Sequence, residues 1–342
     1  MATRRNARSS SSSLSKWLAV GAILLILSVG GLLAQTADDR FSATVENAGE
    51  QLTSYTNTQT SGAQVFMNGK WHQPRNVETM LIIGIDDISG NVQSNSYNNM
   101  NQADFLALFV HDADTKENAV IHLNRDTMTD ITVLGVTGQT AGTRYAQLAL
   151  AYNYGSGGND SSRNTAQAVS RLLYGAEVDH YLAITMDSMP IINDWAGGVT
   201  VEVQDDFSEI DPALIPGRIV TLRGDQALTY VRTRYKMDDS SNLKRMQRQR
   251  QYAREWVKTA RERLSDRNAV MDLVMQMNDY HYSDCTVDDL IEFGQMLNDN
   301  ENITIHEMTG EAVQGAQYIE YYADDERLQQ LVLQLFYKPV DE

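Results

Sequence analysis

The fold is decided by three apolar runs: Met80-Leu-Ile-Ile-Gly-Ile85, Phe105-Leu-Ala-Leu-Phe-Val110 and Ala119-Val-Ile-His-Leu123. Short continuous apolar runs bounded by polar residues are typical of buried strands. The polar segment 111–118 between the second and third runs is short enough to join them as an antiparallel hairpin. The sequence therefore predicts a sheet that contains these three strands.

Further elements are predicted on the C-terminal side of these runs. Two more strands are expected at residues 179–185 and 199–203, and helices are expected at 163–174, 242–264, 287–298 and 324–336. Strands interspersed with helices predict an α/β (α+β) fold, in which helices flank a central mixed, partly antiparallel sheet.

Three charged residues stand at the ends of the central strands. Asp86 follows the first run, Asp104 precedes the second, and Arg125 comes shortly after the third. Because the start of one antiparallel strand lies beside the end of its partner, Asp104 and Arg125 are expected to meet, and Asp86 joins them if the first connection is also antiparallel. Paired carboxylates suit Mg²⁺, with Mn²⁺ as the alternative, and a metal beside arginines suits phosphoryl transfer. The competing interpretation is ordinary strand-end Asp residues with one salt bridge.

A basic segment interrupts an acidic chain. The formal net charge is −17, yet residues 228–254 carry eight Lys or Arg and only two acids. This reversal indicates a local anionic ligand, since the guanidinium fork of arginine matches phosphate oxygens in pairs. In an extended segment Arg232 and Arg234 point the same way.

The helix predicted after this segment carries a polar face. If Ser240 or Ser241 caps it, then Arg245, Arg248 and Gln249 lie on one face, because residues three and four apart are helix neighbours. The competing interpretation is a solvated basic helix face that binds nothing.

The N-terminal region predicts a membrane anchor. Residues 1–16 are basic and form a cytoplasmic tail, and residues 17–34 are an apolar run of 18 residues. Such a helix is about 27 Å long, just enough for a hydrocarbon core of ~30 Å. Basic residues before the run and acids after it place the remainder outside the cell, as a polar stalk at 35–64 and one domain at 65–342. A cleaved signal peptide is the alternative.

The exported part has a net charge of −21, which argues against nucleic acid as a partner.

Seven motifs occur in an order that resembles the LytR-CpsA-Psr family of exported envelope proteins. They are Leu81-Ile-Ile-Gly-Ile-Asp86, Ala103-Asp104, Asn124-Arg-Asp-Thr127, Asp179-His-Tyr181, Gly197-Gly-Val199, Gly224-Asp-Gln-Ala-Leu-Thr-Tyr-Val-Arg-Thr-Arg234 and Arg245-Met-Gln-Arg-Gln249. The resemblance implies transfer of an anionic glycopolymer, such as wall teichoic acid or capsular polysaccharide, from a polyprenyl-pyrophosphate carrier to peptidoglycan. It also implies a single-pass protein of a Gram-positive-type cell membrane.

The resemblance also implies roles for individual residues. Asp86 and Asp104 hold Mg²⁺ and act with Arg125 in catalysis, and basic and amide side chains bind the pyrophosphate. The pyrophosphate ligands implied in this way are Arg125, Arg232, Arg234, Arg245, Arg248 and Gln249.

The chain departs from the common family pattern in a way that resembles a clostridial-type branch. Gln102 stands where many members have Arg, Asn124 stands where Pro is usual, and residues 145–152 replace a Lys-x-Asn-x-Ala-Tyr segment. Two other activities stay open, namely a hydrolase of polyprenyl-pyrophosphate-linked saccharides and a non-catalytic scaffold that binds prenyl phosphate or wall polymer. A transcriptional role is disfavoured, because the exported domain is strongly acidic.

Overall fold

The computed structural model describes residues 59–61, 64–86, 101–135, 137–233, 241–299, 303–316 and 318–340. The predicted cytoplasmic tail and anchor lie outside these ranges, as does the predicted stalk up to residue 58. Within the described ranges, no helix has the length and apolar character needed to cross a membrane.

The described residues form sixteen strands and eight α-helices. The strands are β1 (Gln59–Ser61), β2 (Gln64–Met67), β3 (Lys70–Pro74), β4 (Val77–Ile85), β5 (Ala103–Asp112), β6 (Asn118–Leu123), β7 (Met128–Leu134), β8 (Thr140–Gln147), β9 (His180–Thr185), β10 (Val199–Glu202), β11 (Ile219–Leu222), β12 (His281–Ser283), β13 (Thr304–Glu307), β14 (Gly310–Gln314), β15 (Ile319–Ala323) and β16 (Tyr337–Pro339). The helices are α1 (Leu150–Asn153), α2 (Gly158–Leu172), α3 (Met189–Trp195), α4 (Asp225–Arg232), α5 (Ser241–Ser265), α6 (Arg267–Gln276), α7 (Val287–Asp299) and α8 (Asp325–Phe336).

The chain divides into two compact units. The sheet unit holds the described residues up to Tyr181 together with those from Ile303 onward, and the helical unit holds the described residues from Leu182 to Asp299. The boundary falls within β9, so the first two residues of that strand belong to the sheet unit.

A mixed sheet forms the centre of the sheet unit. Strand β4 is antiparallel to β5, β5 is antiparallel to β6, and β13 is parallel to β6. All ten residues of β5 and all six of β6 are buried. The three apolar runs therefore form the predicted strands, and both of their connections are antiparallel as the site prediction required. The expected mixed sheet of an α/β (α+β) fold is confirmed.

Smaller sheets complete the sheet unit. Strands β1, β2, β3 and β16 form a four-stranded sheet, while β7 pairs with β8 and β14 pairs with β15 as antiparallel hairpins. Most residues of β8 and all of β14 are exposed, so these strands lack the apolar alternation that identifies a strand in sequence. Helix α1 adjoins the start of the central sheet, where the Ala103 amide donates to the Ala149 carbonyl at 3.1 Å.

The helical unit packs its helices around aromatic side chains. Trp256 of α5 is fully buried, and its ring stacks on Trp195 of α3 at a centroid distance of 5.9 Å. The hairpin of β10 and β11 and the pair of β12 with the second part of β9 complete this unit. Across both units, the four helices expected from the sequence correspond to α2, α5, α7 and α8.

Candidate active site

Asp104 and Arg125 form a buried ion pair at one edge of the central sheet. Asp104 is the second residue of β5, and Arg125 comes two residues after β6 ends. Because Leu106 pairs with Leu123 in the antiparallel register, the two charged residues lie opposite each other. Arg125 Nη1 pairs with Asp104 Oδ1, and the residues are 8 % and 2 % exposed. The predicted contact is confirmed.

Asp86 lies at the same sheet edge. Strand β4 ends at Ile85, which pairs with Ala103, and the Asp86 amide donates to the Gln102 carbonyl at 3.1 Å. Asp86 is half-buried, whereas Asp104 is almost fully enclosed. The structure thus places the backbone of both predicted carboxylates at neighbouring strand ends.

Gln102 and Asn124, two of the three positions where the chain departs from the pattern it resembles, lie at this edge. The Gln102 side-chain oxygen accepts a hydrogen bond from Arg125 Nη2 at 2.5 Å, which an arginine at that position could not do. Asn124 Oδ1 accepts from the Asp126 amide at 3.0 Å, and the Asn124 carbonyl accepts from the Thr127 hydroxyl at 2.7 Å. Asn124 therefore builds a hydrogen-bonded turn at this position.

Asp126 and Gln147 are additional residues at this edge that the sequence prediction did not include. Asp126 Oδ1 lies 3.4 Å from Arg125 Nε, so the guanidinium faces a second carboxylate. Gln147 Nε2 donates to the same Asp126 oxygen at 3.3 Å and to the Ile319 carbonyl at 2.8 Å. Asp126 could have been suspected because it lies inside the quoted Asn-Arg-Asp-Thr motif. The role of Gln147 could not be predicted from the sequence, because a single glutamine at the end of an exposed strand has no feature that indicates a functional site.

Arg232 does not lie in an extended segment, which was the condition under which it would point the same way as Arg234. Arg232 is the last residue of α4 and is half-buried, and the backbone becomes extended only at Thr233. The buried residues Ala227, Tyr230 and Val231 are spaced by three and four positions, which is the periodicity of a helix face and outweighs the strand propensity of the Thr-Tyr-Val sequence. Arg234 lies outside the described residues.

Arg245, Arg248 and Gln249 share one face of α5, as predicted. Each is at most 1 % exposed, so the solvated face considered as an alternative is excluded for these three residues. Arg245 Nη2 donates to Asn242 Oδ1 at 2.8 Å, and Gln249 Nε2 donates to the Val231 carbonyl at 3.4 Å. This face of α5 therefore contacts the last turn of α4.

Arg248 has the most extensive of these contacts. Its Nε donates to the Tyr230 carbonyl at 3.0 Å, its Nη2 donates to the Thr233 carbonyl at 2.6 Å, and its Nη1 pairs with Asp205. The guanidinium carbon also lies 5.0 Å from the ring centroid of Phe207. Burial lowers the pKa of Arg248, and Asp205 opposes that shift. Carbonyls at a helix C-terminus lack partners within the helix, so Arg248 holds the end of α4 in place.

Comparison with known proteins identifies named relatives. The chain is 27 % identical over 198 residues to the polyisoprenyl-teichoic acid--peptidoglycan teichoic acid transferase TagU of Halalkalibacterium halodurans, which is 57 % of this chain and 58 % of that protein. It is 25 % identical over 265 residues to TagU of Bacillus licheniformis, which is 77 % of this chain and 78 % of that protein. The chain thus covers less than two thirds of the H. halodurans protein's own length.

Solved structures share the fold. A structure of TagT bound to LI-WTA superposes with a TM-score of 0.57 at 19 % identity, over 76 % of this chain and 89 % of the TagT chain. A model of the LytR_cpsA_psr family matches residues 41–336, which include every motif quoted above. This chain therefore belongs to the LytR-CpsA-Psr family.

Proposed function

We propose that this protein transfers an anionic glycopolymer, such as wall teichoic acid or capsular polysaccharide, from a polyprenyl-pyrophosphate carrier to peptidoglycan. Family membership supports the proposal, as do the names of the relatives, TagU being called a teichoic acid transferase and TagT being bound to LI-WTA. The observation that carries it is the sheet edge where Asp86 stands beside the buried pair of Asp104 and Arg125.

Arg125 is suited to orient an anionic substrate, because it is fixed before the substrate arrives. Its backbone carbonyl accepts from the Ala149 amide at 2.9 Å, and its side chain contacts Asp104, Asp126 and Gln102. A guanidinium held in this way loses little conformational entropy when it binds a phosphate oxygen. Its charge also stabilises the negative charge that develops on a departing prenyl phosphate.

Asp86 is the stronger candidate for the general base. A base must reach the acceptor hydroxyl within hydrogen-bond distance, and Asp86 is half-buried whereas the Asp104 side chain is enclosed against Arg125. In the proposed step the acceptor hydroxyl oxygen forms a bond to the phosphorus next to the transferred polymer, and the bond from that phosphorus to the prenyl phosphate oxygen breaks. The hydroxyl proton passes to Asp86, and prenyl phosphate leaves.

The donor set at this edge fits Mg²⁺. Asp86 and Asp104 would hold the ion, since their backbones lie at neighbouring strand ends and Mg²⁺ prefers one or two carboxylates completed by water and substrate phosphates. A bound divalent ion would neutralise charge on the pyrophosphate. The ligand role of these two residues is part of the proposal, as are the pyrophosphate-binding roles that the resemblance gives to the arginines and to Gln249.

The proposed location is the outer face of a cell membrane, with the chain anchored through residues 17–34 and the N-terminus in the cytoplasm. The sequence order of a basic tail, an apolar run and an acidic exported part supports this arrangement. A membrane-held enzyme would meet a donor whose prenyl chain is itself embedded in the membrane.

The test uses the full-length protein in detergent with a synthetic prenyl-pyrophosphate-linked saccharide and peptidoglycan oligomers, with Mg²⁺ or with a chelator. Mass spectrometry of the products is expected to show a saccharide-peptidoglycan conjugate that requires the metal, and Asp86→Asn is expected to lose it. Free saccharide with the wild type would instead establish a hydrolase. Donor that binds and stays unchanged would establish a binding scaffold.

A further inference from the structure

Two exposed tyrosines of the sheet unit lie around one carboxylate. Tyr145 of β8 is 55 % exposed and Tyr322 of β15 is 41 % exposed. The Tyr322 hydroxyl donates to Glu320 Oε2 at 2.7 Å, and this hydrogen bond is the main reason why the pKa of Tyr322 is raised. The pKa of Tyr145 is raised by partial burial and then by the charges of Asp130 and Glu320. We call Asp130, Tyr145, Glu320 and Tyr322 the tyrosine surface.

The strand register places these residues beside one another. Tyr145 pairs directly with Asp130 across β7 and β8, and Tyr322 and Glu320 are two positions apart on β15 and so lie on the same face. Tyrosine provides a large contact area with few rotatable bonds, so a ligand that covers such rings loses little side-chain entropy. Exposed aromatic rings grouped in this way are typical of a binding surface.

The tyrosine surface is continuous with the sheet edge that carries Arg125. Gln147 lies two residues beyond Tyr145 on the same face of β8, about 7 Å along the strand. Its side chain donates to Asp126, the neighbour of Arg125, and the Asp126 carbonyl accepts from the Tyr321 amide at 2.9 Å. These contacts link the tyrosine surface through Gln147 to Asp126, the residue next to Arg125.

We infer that the tyrosine surface binds the glycan strand of peptidoglycan, the acceptor of the reaction. This inference rests on the proposed transferase function. The C–H faces of pyranose rings pack on tyrosine rings, while sugar hydroxyl and acetamido N–H groups donate to the carboxylates of Asp130 and Glu320. The Glu320 carboxylate repels a polyanion, whereas Arg171 offsets the charge of Asp130, so Glu320 favours the uncharged glycan backbone of the acceptor over an anionic donor polymer.

The experiment measures acceptor binding and transfer separately. Full-length protein in detergent is sedimented with purified peptidoglycan sacculi from which attached polymers have been stripped, and transfer is assayed with a peptidoglycan oligosaccharide and the prenyl-pyrophosphate donor. The variants are Tyr145→Ala/Tyr322→Ala, the ring-preserving Tyr145→Phe/Tyr322→Phe, and Met275→Ala as a control that removes an exposed side chain of α6 in the helical unit.

The double alanine variant is expected to bind sacculi about tenfold more weakly and to raise the KM for the acceptor by a similar factor, with the KM for the donor unchanged. The phenylalanine and Met275 variants should stay within about threefold of wild type. Transfer by the wild type with unaltered binding and acceptor KM in the double alanine variant would overturn the inference and leave the proposed function standing. Loss of sacculus binding in that variant, with no donor turnover by the wild type, would support the surface and reject the transferase.

Discussion

Replacing Arg125 by methionine tests whether the buried ion pair stabilises the sheet edge. The Asp104 side chain is fully enclosed, so the variant leaves a carboxylate in the interior without its main counter-ion. Removal of one partner from a buried pair typically costs about 3–5 kcal/mol of unfolding free energy. Asp104→Asn should cost less, about 1.5–3 kcal/mol, because the guanidinium keeps Asp126 and the Gln102 oxygen as partners.

The double variant Arg125→Met/Asp104→Asn separates the pair energy from the cost of an isolated charge. It removes both charges together, so it should lower the free energy of unfolding by about 1–3 kcal/mol less than the sum of the two single variants. Urea unfolding of the full-length protein in detergent, followed by far-UV circular dichroism, measures the loss of unfolding free energy in each of the three variants. The comparison requires that the slope of the unfolding free energy against urea concentration is the same in all of them. The reasoning would be refuted if Arg125→Met cost under about 1 kcal/mol or if the two single losses added.

Three further predictions follow from other contacts. Asp86→Asn should lower transfer by about 10²–10⁴-fold with under about 1 kcal/mol lost in urea unfolding, because Asp86 is half-buried and is proposed as the base. Arg248→Met should destabilise by about 3–5 kcal/mol in the same unfolding assay, since it leaves two carbonyls and Asp205 without their donor. Asp112→Asn tests pH dependence: burial raises the pKa of Asp112, but hydrogen bonds from backbone amides and Arg75 outweigh it, so the pKa is lowered. The stability from Asp112 is therefore present above the ordinary carboxyl pKa and is lost as pH falls through the lowered value, so the gap between wild type and variant in urea midpoint should close below about pH 4.

The central sheet and its charged edge could be predicted because two rules act together. Continuous apolar runs identify strands that are buried on both faces, and a short polar loop forces the following strand to return antiparallel. The strand ends are then fixed relative to one another, because an antiparallel hairpin of β5 and β6 places Asp104 opposite Arg125. The contact between Asp104 and Arg125 could therefore be predicted from the strand pairing alone.

The parts that could not be predicted have exposed or ambiguous sequences. Strand β14 is exposed throughout and most of β8 is exposed, and neither shows a hydrophobic pattern that separates strand from loop. Helix α4 ends in Thr-Tyr-Val-Arg, whose β-branched and aromatic residues favour a strand, but its tertiary contacts stabilise the helix. Arg248 supplies two of those contacts, to the carbonyls of Tyr230 and Thr233, and a buried arginine cannot be told from an exposed one in sequence.

The turn at residues 124–127 links the proposed reaction edge to the tyrosine surface through main-chain bonds. The Arg125 carbonyl accepts from Ala149, the Thr127 carbonyl accepts from Leu148, and the Asp126 carbonyl accepts from Tyr321. Such bonds resist displacement, because each carbonyl and amide that lost its partner inside the protein would cost free energy. Transfer between two large polymers requires that the acceptor hydroxyl be held within reach of the activated phosphorus, and positioning of this kind supplies much of the barrier reduction in such reactions. A turn held by main-chain bonds on both sides provides that positioning, so a variant that binds the acceptor more tightly at the tyrosine surface should raise the transfer rate only when it leaves this turn unchanged.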